Sequence, residues 1–420
     1  MDKIRIGLVG CGGMGTRHLY GLKELTKTPL CNVELCTLCD IRRDNAELAA
    51  VEAEKLLGIR PTIFTDMEEM VRKTPDLDAV DIVTDPSTHH DVACHALDLG
   101  LHVMVEKPLA ITVRACLKMI ESAERNGRKL SVAENFRRDP STRLVHHLLE
   151  TDAIGKPYMA MFHYVEPGNT IFITPWRHLK QRGGLLLDMG VHFTDLIRYQ
   201  LGEIDEVYGD VRLVEPVRKK PERSSSPYEF YRTRFKEMDA EIQAMAEDTS
   251  LAMFRMKSGI PLNWMVGLGG HGSYSRETIF GDRGIIEGFG TRGGSTRLKL
   301  DRGEVSHKEA VEMAEGFSVE PLADYLFPTR IASGDPAVDW KLIALEYYEL
   351  ADAILTGRKI EVDGIEGMKD VAAIYAICES SIAGRAVKMS EVETCQVYAY
   401  QAEIDEALGE VSDHAIAVFR

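Results

Sequence analysis

KIRIGLVGCGGMG, residues 3 to 15, is the stretch on which the fold turns. Residues 3–9 read as a buried strand, GCGGMG follows at 10–15, and a helical pattern then runs to about Thr26. Gly10, Gly12 and Gly15 fit G-x-G-x-x-G, a weak signal alone. Here it directly follows a strand and opens a helix, and Asp40 ends the next apolar run, VELCTLCD, 25 residues after Gly15. The first glycine permits a tight turn, the second lets the backbone approach a pyrophosphate, and the third allows close helix-to-strand packing. With Gly13 and Met14 in the same turn, the diphosphate of a dinucleotide would rest on the helix N-terminus. Asp40 is placed to accept hydrogen bonds from adenosine ribose hydroxyls and to repel a 2′-phosphate, which favours NAD over NADP. Ile41 and Arg42 come next, and Arg42 and Arg43 are the groups that could instead host a phosphate.

Outward from this motif, apolar runs at 62–66, 79–85, 101–107 and 129–135 alternate with helical patterns. Alternation of this kind needs crossover connections and gives a parallel sheet. The expectation is an α/β chain whose first domain, residues 1–136, is a doubly wound Rossmann sheet. Ligands bind such sheets outside the carboxyl ends of the strands. The residues there are Thr84, Asp85, Pro86, Ser87 and His89, then Glu106 and Lys107, then Asn135. All are candidate cofactor contacts, and Lys107 projects toward the nicotinamide end.

At 420 residues the chain exceeds one ordinary core, which predicts a second domain over 137–420. A net charge of −16 argues against a sequence-independent nucleic-acid binder. The N-terminus reads without a secretory leader and no apolar run reaches bilayer length, so a cytoplasmic protein without a membrane partner is expected. The eight cysteines are scattered, and Cys36 and Cys39 share one strand at an odd spacing. Neither a disulfide framework nor a metal site is expected.

The second domain opens with a helix, PSTRLVHHLLE, and a strand, PYMAMFHYVEP. Hairpin signals follow in TSLAMFRMKSGIPLNWMVGL and RETIFGDRGIIEGFG, and helices close the chain at about 339–356 and 366–384. An open, mostly antiparallel sheet with helices on one face fits this order. Residues 217–247 read as an insertion, basic and Ser/Pro-rich first, helical and acidic later. It is either a solvated excursion, a lid over the site, or an arm that grips a neighbouring subunit. The tail after Met389 is amphipathic and suits assembly.

GGLLLDMGVHFTDLIRY, residues 183 to 199, sets Asp188 and His192 four apart on an apolar segment. On a helix both lie on one face. Taken alone, this is either a buried histidine tethered by an aspartate or an acid/base dyad. Just upstream, TPWRHLKQRGG carries Trp176, Arg177, His178, Lys180 and Arg182. Trp176 could stack on a sugar face and Arg177 could grip a carboxylate or sulfonate. Arg137, Arg138, His163 and Tyr164 are further candidates for the same cavity, with Tyr274 and Arg276 behind them.

Taken together, GCGGMG, TDPSTHHDVA, the EKP of 106–108 and GGLLLDMGVH resemble the Gfo/Idh/MocA oxidoreductases, named after glucose-fructose oxidoreductase and inositol dehydrogenase. The resemblance spans most of the chain in order. It implies a Rossmann domain followed by an α/β domain that commonly mediates homodimers or homotetramers. It also implies that Lys107 is the active-site lysine, that Asp188 and His192 are the D-x-G-x-H pair, and that the Lys107–Pro108 bond is cis. Two positions depart from the pattern: Asp85 intervenes where many members read Thr-Pro, and Arg182 replaces a glycine often found before the helix.

The expected function is NAD-dependent hydride transfer from a CH–OH of a carbohydrate or cyclitol. His192 would be the base, Asp188 would orient its ring, Lys107 would stabilise the developing alkoxide, and Gly190 would keep the helix slim beside the substrate. The alternative is a glycosidase that oxidises the sugar transiently, eliminates the aglycone and returns the hydride, possibly on an anionic sugar. A non-catalytic NAD-binding regulator would be expected to lack the lysine, aspartate or histidine, and all three are present.

Overall fold

A computed structural model describes residues 3–224 and 226–409. In chain order the first half runs β1 (Ile4–Val9), α1 (Gly13–Thr26), β2 (Val33–Cys39), α2 (Arg43–Leu57), β3 (Thr62–Phe64), α3 (Met67–Lys73), β4 (Ala79–Ile82), α4 (His89–Asp98), β5 (His102–Glu106), α5 (Val113–Asn126) and β6 (Leu130–Ala133). These strands form one parallel sheet in the order β3-β2-β1-β4-β5-β6. The order reverses between β1 and β4, and such a switch point opens a crevice at the carboxyl ends of the strands. The glycine turn, Thr84–His89 and Lys107 all lie on that rim.

Local chemistry sets these boundaries. Ala46, Ala49, Ala50 and Ala53 form the buried stripe of α2, at the spacing an amphipathic helix requires. Thr112 caps α5 by accepting from the Ala115 amide, and Gly127 ends that helix in the left-handed region.

The chain continues through α6 (Pro140–Glu150), β7 (Pro157–Val165), α7 (Gly184–Leu201), β8 (Ile204–Arg212), β9 (Val217–Lys219), α8 (Glu229–Glu237), β10 (Glu241–Gln243), β11 (Thr249–Met256), β12 (Pro261–Gly267), β13 (Tyr274–Gly281), β14 (Gly284–Glu287), β15 (Arg297–Leu300) and β16 (Gly303–Val305). It closes with α9 (His307–Met313), α10 (Pro321–Leu326), α11 (Val338–Thr356), α12 (Gly364–Ala383), β17 (Val387–Lys388), α13 (Met389–Glu393) and α14 (Ala399–Leu408). The second sheet has nine strands in the order β16-β15-β14-β13-β7-β12-β11-β8-β17. Every pairing is antiparallel except β7 with β12. The mostly antiparallel sheet expected from the hairpin signals is thus present, with one parallel pair at its centre. The amphipathic tail ends in α14, and its residues 410–420 lie outside the described residues.

Helices α7 and α12 cover one face of this sheet. On β11, Ser250, Ala252, Phe254 and Met256 point into that core, while Leu251 and Met253 point outward. With Tyr208 and Tyr274 they leave an apolar band on the open face. Helix α11 returns to the first sheet instead. Its Ile343 lies so close to α1 that a Cβ on Gly21 would come within 2.4 Å of Ile343 Cγ2.

The 217–247 segment is a closed excursion. Strands β9 and β10 pair as its stem, and Lys220 Nζ donates to the Met238 carbonyl at 3.0 Å where the lobe closes. Its helix α8 lies across the glycine turn of the first domain. Among the described residues no helix is long and apolar enough to cross a membrane.

Candidate active site

The glycine turn is built as a dinucleotide cradle. A Cβ at Gly10, where φ is +97°, would meet the Val83 carbonyl oxygen at 2.6 Å, and one at Gly15 would meet the Gly10 carbonyl oxygen at 2.3 Å. Only glycine fits either position. Asp40 ends β2 beside the turn. Its carboxylate accepts from the Cys11 and Arg42 amides, both at 2.8 Å, and from Asn45 Nδ2 at 3.3 Å. Arg42 is paired with Asp44 at 2.8 Å. A negative group therefore stands beside the glycine turn, and the nearest arginine is already compensated. At the other end Asn135 is buried with its Oδ1 unpartnered. The cradle, the ribose-side carboxylate and this orphaned amide oxygen fit NAD.

Lys107 closes β5 and crosses to α7. Its Nζ donates to Asp188 Oδ1 at 2.9 Å and to the Asp188 carbonyl at 2.8 Å. Arg177 Nε donates to the other carboxylate oxygen, Oδ2, at 2.8 Å. Burial works to raise the Asp188 carboxyl, but Arg177 and Lys107 overcome it and hold the group well below the usual carboxylate range. The Lys107–Pro108 bond is cis.

His192 has a different partner. Its Nδ1 is 2.8 Å from both carboxylate oxygens of Glu134, the residue after β6. The ring stacks on Phe136 with centroids 4.0 Å apart and planes 6° apart. Burial would raise the Glu134 carboxyl, but His192 and the Phe136 amide keep it below its ordinary value. With Nδ1 engaged, Nε2 is the nitrogen left for a substrate. Asp188 and His192 do share one side of α7, but Asp188 does not orient the ring. The carboxylate that does so is Glu134.

Several other expectations are corrected here. Gly190 does not face the substrate: a Cβ there would meet Ile374 Cδ1 of α12 at 2.5 Å, so it serves helix packing. Arg137 is buried in a paired site, its Nε donating to both Asp195 oxygens at 2.9 Å, and is not free for a ligand. Arg138 is likewise buried, its Nη2 paired with Glu349 at 2.5 Å. His178 is 1% exposed and accepts the Phe172 amide through Nε2 at 2.9 Å, which makes it a strut of the loop. Arg177 spends its charge on Asp188, and its guanidinium covers the Trp176 ring at 4.3 Å. His163 lies on the sheet face away from α7, against Asn263 at 2.6 Å. Tyr164, one residue on, faces α7 with its ring 5.0 Å from Phe193. His89 ties two loops together: it is fully buried, with Nδ1 2.9 Å from the Pro108 carbonyl and Nε2 3.3 Å from the Thr84 carbonyl.

The two departures from the family pattern meet. Arg182 Nη1 donates to Ser87 Oγ at 3.1 Å and its Nη2 is 3.7 Å from Asp85. Asp85 itself caps the Pro86 turn through the Ser87 amide at 3.1 Å. Thr84 Oγ1 accepts from Thr88 at 2.8 Å in the same loop. Beneath the crevice Glu106 is 3.1 Å from His18 Nε2, whose Nδ1 is 2.8 Å from Asp81. Burial opposes charge on this ring, but the Asp81 and Glu106 carboxylates outweigh it and raise its pKa well above the usual histidine value. Sequence reading missed His18, Glu134 and Arg292. Arg292, at a positive φ of 43°, places its guanidinium 5.5 Å over the Phe136 ring.

Among the described residues no group of three or more His, Cys, Asp or Glu side chains could hold a metal ion. The site is a crevice with a dinucleotide cradle, a lysine locked on a carboxylate, and a histidine backed by a second carboxylate.

Comparison with known proteins gives the family and the fold. Residues 4–134 match the model of an oxidoreductase family with an NAD-binding Rossmann fold, and residues 142–287 match the Gfo/Idh/MocA C-terminal domain. A myo-inositol 2-dehydrogenase of Thermotoga maritima is 27% identical over 292 residues, which cover 69% of this chain and 74% of that protein. A levoglucosan dehydrogenase of Pseudarthrobacter phenanthrenivorans is 30% identical over 213 residues, 49% of this chain and 53% of the relative. Among solved structures, a levoglucosan dehydrogenase in complex with NADH superposes with a TM-score of 0.71 at 22% identity, over 92% of this chain and 99% of that one. An oxidoreductase from Agrobacterium radiobacter, in complex with NAD+, L-tartaric acid and magnesium, gives 0.70 at 18%, over 93% and 99%. At such identity these two likenesses speak for the fold. With both halves matched in order, the chain belongs to the Gfo/Idh/MocA oxidoreductase family.

Proposed function

We propose that this chain oxidises a CH–OH carbon of a sugar or cyclitol, with NAD rather than NADP as cofactor. The observation that carries this reading is the pair of linked contacts on α7, Lys107 on Asp188 and His192 on Glu134, at the rim of the dinucleotide crevice. The curated relatives named above act on cyclitols and anhydrosugars, which supports the substrate class.

NAD, when bound, supplies the acceptor for hydride from the alcohol carbon. His192 Nε2 takes the hydroxyl proton, while Glu134 fixes the opposite nitrogen and favours the imidazolium that forms. Lys107, held by Asp188, directs a cation at the reacting oxygen as it gains negative charge. Asp188 acts one step back: it fixes the ammonium and the Arg177 guanidinium together. The open face of the second sheet, with Tyr208, Leu251, Met253 and Tyr274 exposed, suits burial against a second copy in a homodimer or homotetramer.

The test is a panel of cyclitols, aldoses and sugar acids incubated with NAD, read both as NADH formed and, for glycosides, as aglycone released. NADH accumulation supports the dehydrogenase. Aglycone release without net NADH would instead support the redox-cycling glycosidase.

A further inference from the structure

Helix α8 occupies the cradle itself. A Cβ on Gly13 would lie 2.1 Å from Cζ and 2.4 Å from the hydroxyl oxygen of Tyr231, so the phenol ring packs directly on the backbone of the glycine turn. Phe230 lies over Gly12, its Cζ 3.5 Å from where a Cβ would stand. These are the residues on which a diphosphate must rest, because its oxygens need the amides at the start of α1. A ring in van der Waals contact with Gly13 leaves no layer for a phosphate between them. Ring and diphosphate therefore exclude each other.

The lobe is lightly held. No residue of α8 is buried, and the lobe is pinned at its stem by the β9–β10 pair and by Arg218, buried on Asp248. Besides the packing of Tyr231 and Phe230 on the glycine turn, it is held against α1, α2 and α11 by a short set of peripheral contacts. Arg234 Nη2 donates to Asn45 Oδ1 at 2.8 Å, the Tyr228 hydroxyl accepts from Trp340 Nε1 at 2.8 Å, and Tyr20 meets the Tyr228 ring edge-on with centroids 5.6 Å apart. Arg234 thus engages the side chain that also braces Asp40 on the ribose side. Between this lobe and the α1–α2 face remains a cavity of about 330 Å³ lined by Thr16, Tyr20, Leu48 and Phe230.

We propose that α8 is a built-in competitor for the cofactor: Tyr231 and Phe230 fill the diphosphate cradle, and NAD binds only as the lobe swings out on its stem. This rests on the NAD reading above. Apparent affinity then equals intrinsic affinity reduced by the open fraction. With the open form a minor state of about 10% or less, abolishing the docked form tightens NAD by about tenfold or more.

The experiment is an NAD titration by calorimetry on the full chain, for wild type, Tyr231→Ala, and Arg234→Ala, which loosens the lobe at its Asn45 contact while leaving the glycine turn and its aromatic cover unchanged. Limited proteolysis across Pro221–Pro227, with and without NAD, runs in parallel. Tighter NAD binding in both variants, with cleavage of the wild-type lobe accelerated by NAD, is the expected result. Wild type that binds NAD while the variants bind equally or more weakly overturns the proposal, since α8 would then be neutral or would clasp the bound cofactor. If neither wild type nor variants take up NAD, the cofactor reading fails, and the proposal with it.

Discussion

His192 is backed by Glu134 across two domains: the carboxylate comes from the end of β6, the imidazole from the middle of α7, and they meet at 2.8 Å. Replacing Glu134 by glutamine keeps the shape but removes the negative charge that faces the ring. Turnover should fall by roughly tenfold or more, and His192→Ala should cost about 10²–10⁴. Steady-state rates of the three proteins decide the matter. A Glu134→Gln turnover equal to wild type would refute the assignment.

Asp188→Asn strips one carboxylate from a buried guanidinium and a half-buried ammonium. Leaving Lys107 and Arg177 uncompensated should cost about 3–5 kcal/mol of stability. The sign of its pH dependence follows from the lowered carboxyl. The stability that Asp188 contributes is fully present above its unfolded value, about pH 4, and is lost as pH falls through the lower folded value. Denaturation curves of wild type and variant should therefore converge as the solution is acidified.

Gly190→Ala would push a methyl group against Ile374 Cδ1. Because that atom ends a flexible side chain, the helices can adjust, at a cost of about 1–3 kcal/mol. KM should stay unchanged, since the residue faces α12. A raised KM without a loss in thermal midpoint would place Gly190 at the substrate after all.

His178 is pushed down to about 4 by burial and by Arg218 and Arg177. Protonation would also break its bond from the Phe172 amide. A histidine held neutral when folded takes its proton more readily when unfolded, so stability is full above about pH 6.5 and declines toward pH 4. Across that window the slope should approach about 1.4 kcal/mol per pH unit. His178→Gln should flatten it in urea melts at successive pH values.

Much of the first domain was legible because parallel strands buried on both faces read as near-continuous apolar runs, and because the glycine turn has steric demands no other residue meets. Lys107 and His192 stood out in the sequence through their motifs, and the fold brings both to the rim of the crevice. Glu134 was not: it stands beside Asn135 at the end of a strand, and nothing local says which of the two turns toward α7. The basic cluster at 176–182 was visible as charge, but its partners were not. Arg177 is answered by Asp188 eleven residues on, and Arg137 by Asp195 fifty-eight residues on. His163 and Tyr164 show the same limit at single-residue scale, since neighbours on a strand face opposite ways and only the packing of α7 says which way is inward.

The return of α11 to α1 has a consequence for biosynthesis. All six strands of the first sheet have been synthesised by residue 133, yet Leu342, Ile343, Tyr347 and Leu350, which close its hydrophobic core beside Leu19 and Leu22, are translated about two hundred residues later. Until then one flank of the nascent nucleotide-binding half is uncovered apolar surface. A ribosome-bound or truncated chain ending before α11 should therefore expose this flank to chaperones, and extension through Ile360 should cover it.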